Sequence, residues 1–276
     1  MVQTTSGQLD LGDGLLAYEV AGNGVPVVLS HAAFLDRRMF DDQWEMLAQA
    51  FKVIRYDMIG FGQSSAATGP RSRRADLRRL LEHLGIGRAH LVGCSLGGEL
   101  LLDLALESPE LALSLTMVGS VPDGFEMQGD MPRYMGEMFG ALQAGAVETA
   151  NELQIRIWFD GLFREPDQVD AGRRAQALAM NRLPVSQNTF FSADTQPLNP
   201  LTPPAVGRLG DVRCPALIVV GALDHPEVVR ASTVLADRIP NARQVIIEGA
   251  AHVPSFEKPE AFNPILLNFL REHTRS

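Results

Sequence analysis

Residues 89–98 read Ala-His-Leu-Val-Gly-Cys-Ser-Leu-Gly-Gly. The apolar run to Cys94 suits a strand buried on both faces, and the residues from Leu96 onward open a helix. Gly93, Ser95 and Gly97 form a Gly-x-Ser-x-Gly pattern on the turn between them. Small residues on either side let strand and helix approach closely. The serine is lifted out at the C-terminal edge of the sheet, at a helix N-terminus whose free N–H groups favour developing negative charge.

On both sides of this stretch, short β-branched runs alternate with helical periodicity. Val25–Ser30, Phe51–Asp57, Ala89–Cys94, Leu113–Gly119, Pro215–Gly221 and Arg243–Ile247 read as buried strands. Gln8–Leu11 and Leu15–Val20 read as an antiparallel pair turned at Gly12-Asp13-Gly14. In Ser72–Leu84, the positions Leu77, Leu80, Leu81 and Leu84 follow i, i+3, i+4, i+7, with Gly85 as the stop. Arg71, Arg73, Arg74, Arg78 and Arg79 then fall on the solvated side. The alternation implies an α/β sheet. From Val121 to Pro204 the rhythm breaks into helical pieces, Met131–Gln143, Ala146–Phe159 and Gln168–Asn181, which predicts a helical insertion.

Composition narrows the function classes. The chain has 276 residues, 46% of them apolar, enough for a core, so disorder is excluded as the main state. Its 24 Lys plus Arg against 33 Asp plus Glu give a net charge of −9, which disfavours nucleic acid and anionic membranes as partners. Oligomeric state is not legible. Cys94 and Cys214 lie in apolar runs that suit buried free thiols. Met1–Gly7 lacks the basic and apolar regions of a signal peptide, and no run reaches the ~18 apolar residues of a membrane helix. A cytoplasmic chain is the expectation. No Gly-x-x-x-x-Gly-Lys-Ser/Thr, His-Glu-x-x-His or Cys-x-x-Cys pattern occurs, so neither cofactor nor metal is expected.

A nucleophilic serine needs a base, and the base an orienting acid. Asp224 follows the strand ending at Gly221, and His252 follows the strand ending at Ile247. Both lie past strand C-termini, the edge where sites form in open α/β sheets. Asp123, after the strand ending at Gly119, is the second candidate acid. His83, His90 and His273 lie on a helix, at the start of a strand and in the tail; His225, beside Asp224, is a weaker rival base. The two amides of an oxyanion hole are assigned to Leu96, after the serine, and Ala33, in the loop after Ser30. His31 then reads as a structural residue of that loop. Met131, Met135, Met138, Phe139 and Leu142 fall on one helical stripe. One end of it, Met138, is expected to form an apolar substrate pocket with Phe34, Trp158 and Val253.

With these residues in hand, the sequence resembles the α/β-hydrolase superfamily, in the branch of small bacterial esterases, cofactor-free haloperoxidase-like enzymes, enol-lactonases and C–C bond hydrolases. Tyr56-Asp57-Met58-Ile59-Gly60-Phe61-Gly62-Gln63-Ser64 resembles the family's Asp-x-x-Gly-x-Gly-x-Ser turn. Ile239-Pro240-Asn241-Ala242 and Glu257-Lys258-Pro259-Glu260-Ala261-Phe262 resemble the segments around its last strand and helix. The match covers about residues 7–120 and 205–272. It implies an α/β-hydrolase fold, a mostly parallel sheet with helices on both faces. The core would be residues 1–120 and 205–276, with a helical cap at 121–204 before the last third. It also implies a cofactor-free serine hydrolase of small, largely apolar carboxylic esters or lactones, with Ser95, Asp224 and His252 as the triad. The alternatives are C–C bond hydrolysis, haloperoxidase or perhydrolase-like activity on the same triad, and a non-enzymatic small-molecule receptor. Departures sharpen the expectation. Ala32 replaces the usual glycine after His31. Cys94 and Val253 stand where C–C hydrolases of ring-cleavage products usually carry Asn and Trp, which argues against that activity. Serine rather than aspartate at 95 argues against a haloalkane dehalogenase. Pro264, inside the expected last helix, predicts a kink or restart.

Overall fold

A computed structural model describes residues 2–274 of the chain. Its centre is an eight-stranded sheet formed by β1 (Thr4–Asp10), β2 (Leu15–Ala21), β3 (Pro26–Ser30), β4 (Lys52–Tyr56), β5 (Ala89–Cys94), β6 (Ala112–Val118), β7 (Ala216–Gly221) and β8 (Ala242–Ile247). The spatial order is β1-β2-β4-β3-β5-β6-β7-β8. β1 and β2 pair antiparallel, as do β2 and β4, and every other pairing is parallel. All eight expected strands form, within a few residues of their expected ends. The β5 residues Leu91 and Val92 are fully buried, as a central strand of a covered parallel sheet requires.

Alternate residues of the strands feed two apolar layers. Val28, Ile54, Leu91, Leu115 and Ile218 pack with Leu77 and Leu80 of α2 (Arg73–His83), Leu101 and Leu104 of α3 (Leu96–Glu107) and Leu235 of α7 (Pro226–Arg238). Val27, Val53, Val92, Leu217 and Val219 pack with Trp44 and Leu47 of α1 (Asp41–Ala48) and with Phe262, Leu266 and Phe269 of α9 (Pro259–Glu272). Between β6 and β7 the chain is helical: α4 (Met135–Gln143), α5 (Val147–Ile155), a π-helical turn at Arg156–Asp160, α6 (Ala171–Ser186) and a second π turn at Phe190–Asp194. A short helix, α8 (Pro254–Glu257), precedes α9.

The topology places the site. β4 lies on one side of β3 and β5 on the other, so the loops leaving β3 and β5 diverge at their C-terminal ends. Such a switch point opens a crevice in a parallel sheet. Ser30 pairs with Gly93 across it.

Four expectations need correction. Arg71, Arg73 and Arg74 are buried rather than solvated, because carboxylates distant in sequence meet them: Asp13 and Asp76, Asp194, and Asp103 with Glu107. Arg78 is half-buried against Glu107 and Arg79 is exposed. β8 is an edge strand with Ile246 half exposed, not a buried one. Met131 is off the α4 stripe, since Pro132 and left-handed Tyr134 (φ 71°) precede the helix and reset its phase. The restart allowed for at Pro264 does not occur: α9 runs continuously through it, at the loss of one backbone bond.

Candidate active site

Ser95 stands between β5 and α3 with φ 52° and ψ −121°, a conformation costly for any side chain but glycine. Its amide donates to the Val118 carbonyl at 2.8 Å, which holds the turn against β6. Gly97 explains the spacing of the motif. A Cβ there would lie 2.2 Å from the Ser30 carbonyl oxygen, so only glycine lets α3 begin this close to β3. A sharp turn, close packing and a strained serine occur together, and such strain persists where the surroundings over-determine it.

His252 Nε2 lies 2.9 Å from Ser95 Oγ, and Nδ1 lies 3.0 Å from each carboxylate oxygen of Asp224. Histidine and aspartate are both buried. Asp224 can only accept, so Nδ1 carries the proton and Nε2 is left as the acceptor for the serine hydroxyl. Asp224 Oδ1 also accepts the His225 amide at 2.7 Å, which fixes the carboxylate plane. Gly119, at φ 55°, brings β6 against the histidine loop: a Cβ there would be 2.4 Å from the His252 carbonyl oxygen. Asp123 makes no bond to His252. It lines a separate cavity with Glu99, Asp103 and Asp194.

The loop after β3 is pinned by His31. Its Nε2 accepts the Met58 amide at 2.9 Å, so Nδ1 donates to the Ala32 carbonyl at 2.8 Å. Burial lowers its pKa and keeps it neutral, so it is a strut of this loop. The Asp57 turn serves the same end. Its carboxylate accepts the Arg37 and Gln63 amides and pairs with the Arg37 guanidinium. The Leu96 amide, first in α3, has no intrahelical partner. No acceptor among the described residues takes the Ala33 amide either.

Of the four expected pocket residues, Trp158 and Phe34 lie against His252, with ring centroids 4.6 and 6.2 Å from it. Trp158 also walls a cavity of about 320 Å³ with Met127, Met131, Met135, Phe139 and Val228. His225 and Glu227 complete one side. Phe34, Met138 and Val253 do not line it. Met138 is buried on α4, and Val253 packs into the core beside Phe256. Of the expected stripe, Met131, Met135 and Phe139 face this cavity, although Met131 precedes α4, and Met138 does not. Met127, His225 and Val228 escape sequence reasoning, since nothing in their local sequence marks them as neighbours. Among the described residues no group of three or more His, Cys, Asp or Glu side chains is placed to hold a metal ion. No helix among them is long and apolar enough to cross a membrane.

A family model described as the alpha/beta hydrolase fold matches residues 25–259. The chain belongs to the alpha/beta hydrolase fold family. Among curated relatives of this hydrolase-fold chain, one from Azorhizobium caulinodans named "Putative carbamate hydrolase RutD" is 30% identical over 277 residues, covering 95% of this chain and 97% of the relative. The "2-hydroxy-6-oxo-6-phenylhexa-2,4-dienoate hydrolase" of Comamonas testosteroni is 27% identical, covering 95% and 93%. Among solved structures, "Est816 as an N-Acyl homoserine lactone degrading enzyme" shares the fold with a TM-score of 0.79 at 24% identity, over 95% of this chain and 100% of that one.

Proposed function

We propose that the chain is a serine hydrolase that cleaves carboxylic ester or lactone bonds of small, largely apolar substrates through an acyl-enzyme intermediate. The observation that carries this reading is the unbroken hydrogen-bonded line from Asp224 through His252 to Ser95, at 3.0 and 2.9 Å. Ser95 Oγ attacks the carbonyl carbon as His252 Nε2 takes its proton. Asp224 stabilises the imidazolium and keeps the tautomer. The Leu96 and Ala33 amides receive the charge that develops on the carbonyl oxygen. His252 then protonates the leaving oxygen and activates water to free the acyl group.

In this reading residues 121–204 act as a cap over a core made of 1–120 and 205–276, and the apolar cavity holds a side chain of the substrate. Its methionine walls support tolerance of several shapes. The hydrolase names of the relatives support a hydrolytic reaction. The test is a series of p-nitrophenyl esters of rising acyl length, run beside lactones. Each buried methylene adds up to about 0.8 kcal/mol of binding until the cavity is full, so kcat/KM should climb from acetyl to medium chains and then fall. A flat series, or a preference for charged substrates, overturns the apolar reading. Binding without turnover on any member would point to a receptor.

A further inference from the structure

Glu257 closes α8, five residues past His252, with its side chain only 4% exposed. One carboxylate oxygen accepts the amides of Ala251 and Val253, at 3.0 and 3.1 Å. The other accepts the Ala251 amide at 3.0 Å and the Arg164 guanidinium at 2.7 Å. The peptide N–H groups on either side of His252 therefore end on one carboxylate. Arg164 turns its remaining donors to three carbonyls: Asp160 at 2.8 Å, Phe159 at 2.7 Å and Gly249 at 3.1 Å. Gly249 begins the histidine loop. Phe159 and Asp160 end the π turn that holds Trp158 over the imidazole. A single ion pair thus joins the backbone on both sides of His252 to the turn that covers its ring.

We propose that Arg164 and Glu257 are positioning residues for His252, and that through them the alignment of the histidine depends on how the 121–204 segment is seated. The proposal rests on the reading of Ser95, His252 and Asp224 as the reacting group. Its physics is acceptor bookkeeping. Burial favours the neutral acid at Glu257 and Arg164 opposes it. With Arg164 removed, the buried carboxyl loses its guanidinium partner and is pushed further toward the neutral acid, whose O–H would stand where an amide needs an acceptor. The loop slackens, and Nε2 leaves the line to Ser95 Oγ.

The experiment uses the full chain with Arg164→Met, Arg164→Lys and Glu257→Gln, with p-nitrophenyl butyrate as substrate and a fluorophosphonate to label Ser95. A displacement of His252 by about 1 Å lowers kcat by on the order of 10²-fold while KM stays within about twofold. The labelling rate falls in parallel. Lysine, which keeps the charge but not the fork of donors, restores part of the loss. Folded Arg164→Met protein with kcat within about threefold of wild type, or with its loss in KM alone, overturns the proposal. So does an equal loss in the methionine and lysine variants. Should Glu257→Gln or Arg164→Met fail to fold, Arg164→Lys decides by the same split between kcat and KM. Ser95→Ala runs alongside. Activity surviving in that variant removes the triad reading itself, whereas a dead Ser95→Ala beside an undamaged Arg164→Met refutes the clamp alone.

Discussion

Replacing Asp224 by asparagine should abolish turnover while leaving the fold almost untouched, and the structure gives the reason atom by atom. Oδ1 of Asp224 accepts the His225 amide at 2.7 Å, so an asparagine must keep its carbonyl oxygen there. Its NH₂ group then occupies the other position, 3.0 Å from His252 Nδ1, and donates. Nδ1 must become the acceptor, and the imidazole proton moves to Nε2. That nitrogen, 2.9 Å from Ser95 Oγ, can no longer take the serine proton. Every buried polar group still has a partner, so stability should change little. An acid-to-amide exchange of this kind lowers kcat by about 10⁴-fold, or about 5.4 kcal/mol of activation free energy. The assay is kcat on p-nitrophenyl butyrate for Asp224→Asn and Asp123→Asn, with melting temperature as the control. Asp123→Asn should stay within about threefold of wild type, because its carboxylate does not reach the histidine. Asp224→Asn retaining a tenth of the activity, or Asp123→Asn showing the larger loss, would refute the tautomer argument.

Other perturbations test separate parts of the site. Ser95→Ala should cost about 10⁴-fold or more in kcat, leaving only the contribution of binding and the oxyanion amides; a tenth of wild-type activity would exclude Ser95 as nucleophile. Gly119→Ala places a methyl 2.4 Å from the His252 carbonyl oxygen in a left-handed conformation that alone costs about 1–2 kcal/mol, so kcat should fall together with melting temperature; a variant unchanged in both would contradict the packing. Burial and the charges of Asp103, Asp123 and Asp194 push Glu99 up to about 8 from its ordinary 4.5. The folded state therefore holds this proton more tightly than the unfolded chain. The associated stability is fully present below about pH 4.5 and is lost as pH rises through 8. Glu99→Gln should remove part of the fall in melting temperature between those limits; equal slopes in both proteins would show that Glu99 is not the group responsible.

Much of this is legible in the order of the residues alone. The central strands are marked by apolar runs of the right length, polar β1 only by the turn that follows it, and the serine, acid and histidine by their positions just after strand ends. That placement is a property of the sheet, which periodicity reveals. What escapes depends on partners distant in sequence. The spacing of Arg73 and Arg74 says which side of a helix they occupy, but not that Asp194 and Asp103 wait on that side. The stripe drawn from Met131 breaks because a proline and one left-handed residue reset the helical phase. Arg164 and Glu257 lie 93 residues apart, and neither carries a local signal that it meets the other.

The molecule divides its tasks unevenly between its two kinds of structure. Around Ser95 and His252 the backbone is closely packed. The Ser30 carbonyl leaves room only for glycine at 97, the His252 carbonyl leaves room only for glycine at 119, and His31 and Asp57 hold the loop beside the serine. Preorganisation of this sort lets hydrogen-bond donors act on developing charge without reorganising as the reaction proceeds. The helical segment between β6 and β7 is built on other terms. Met127 and Met131, at the cavity rim, are more than half exposed, and their walls are flexible thioethers. A methionine there can change the shape of the cavity without straining a strand end. Substitutions within 121–204 should therefore alter which substrates are taken, provided they spare Trp158 and Arg164. Those two residues tie this helical segment to the histidine, so they are where a change in the cavity can be felt as a change in rate.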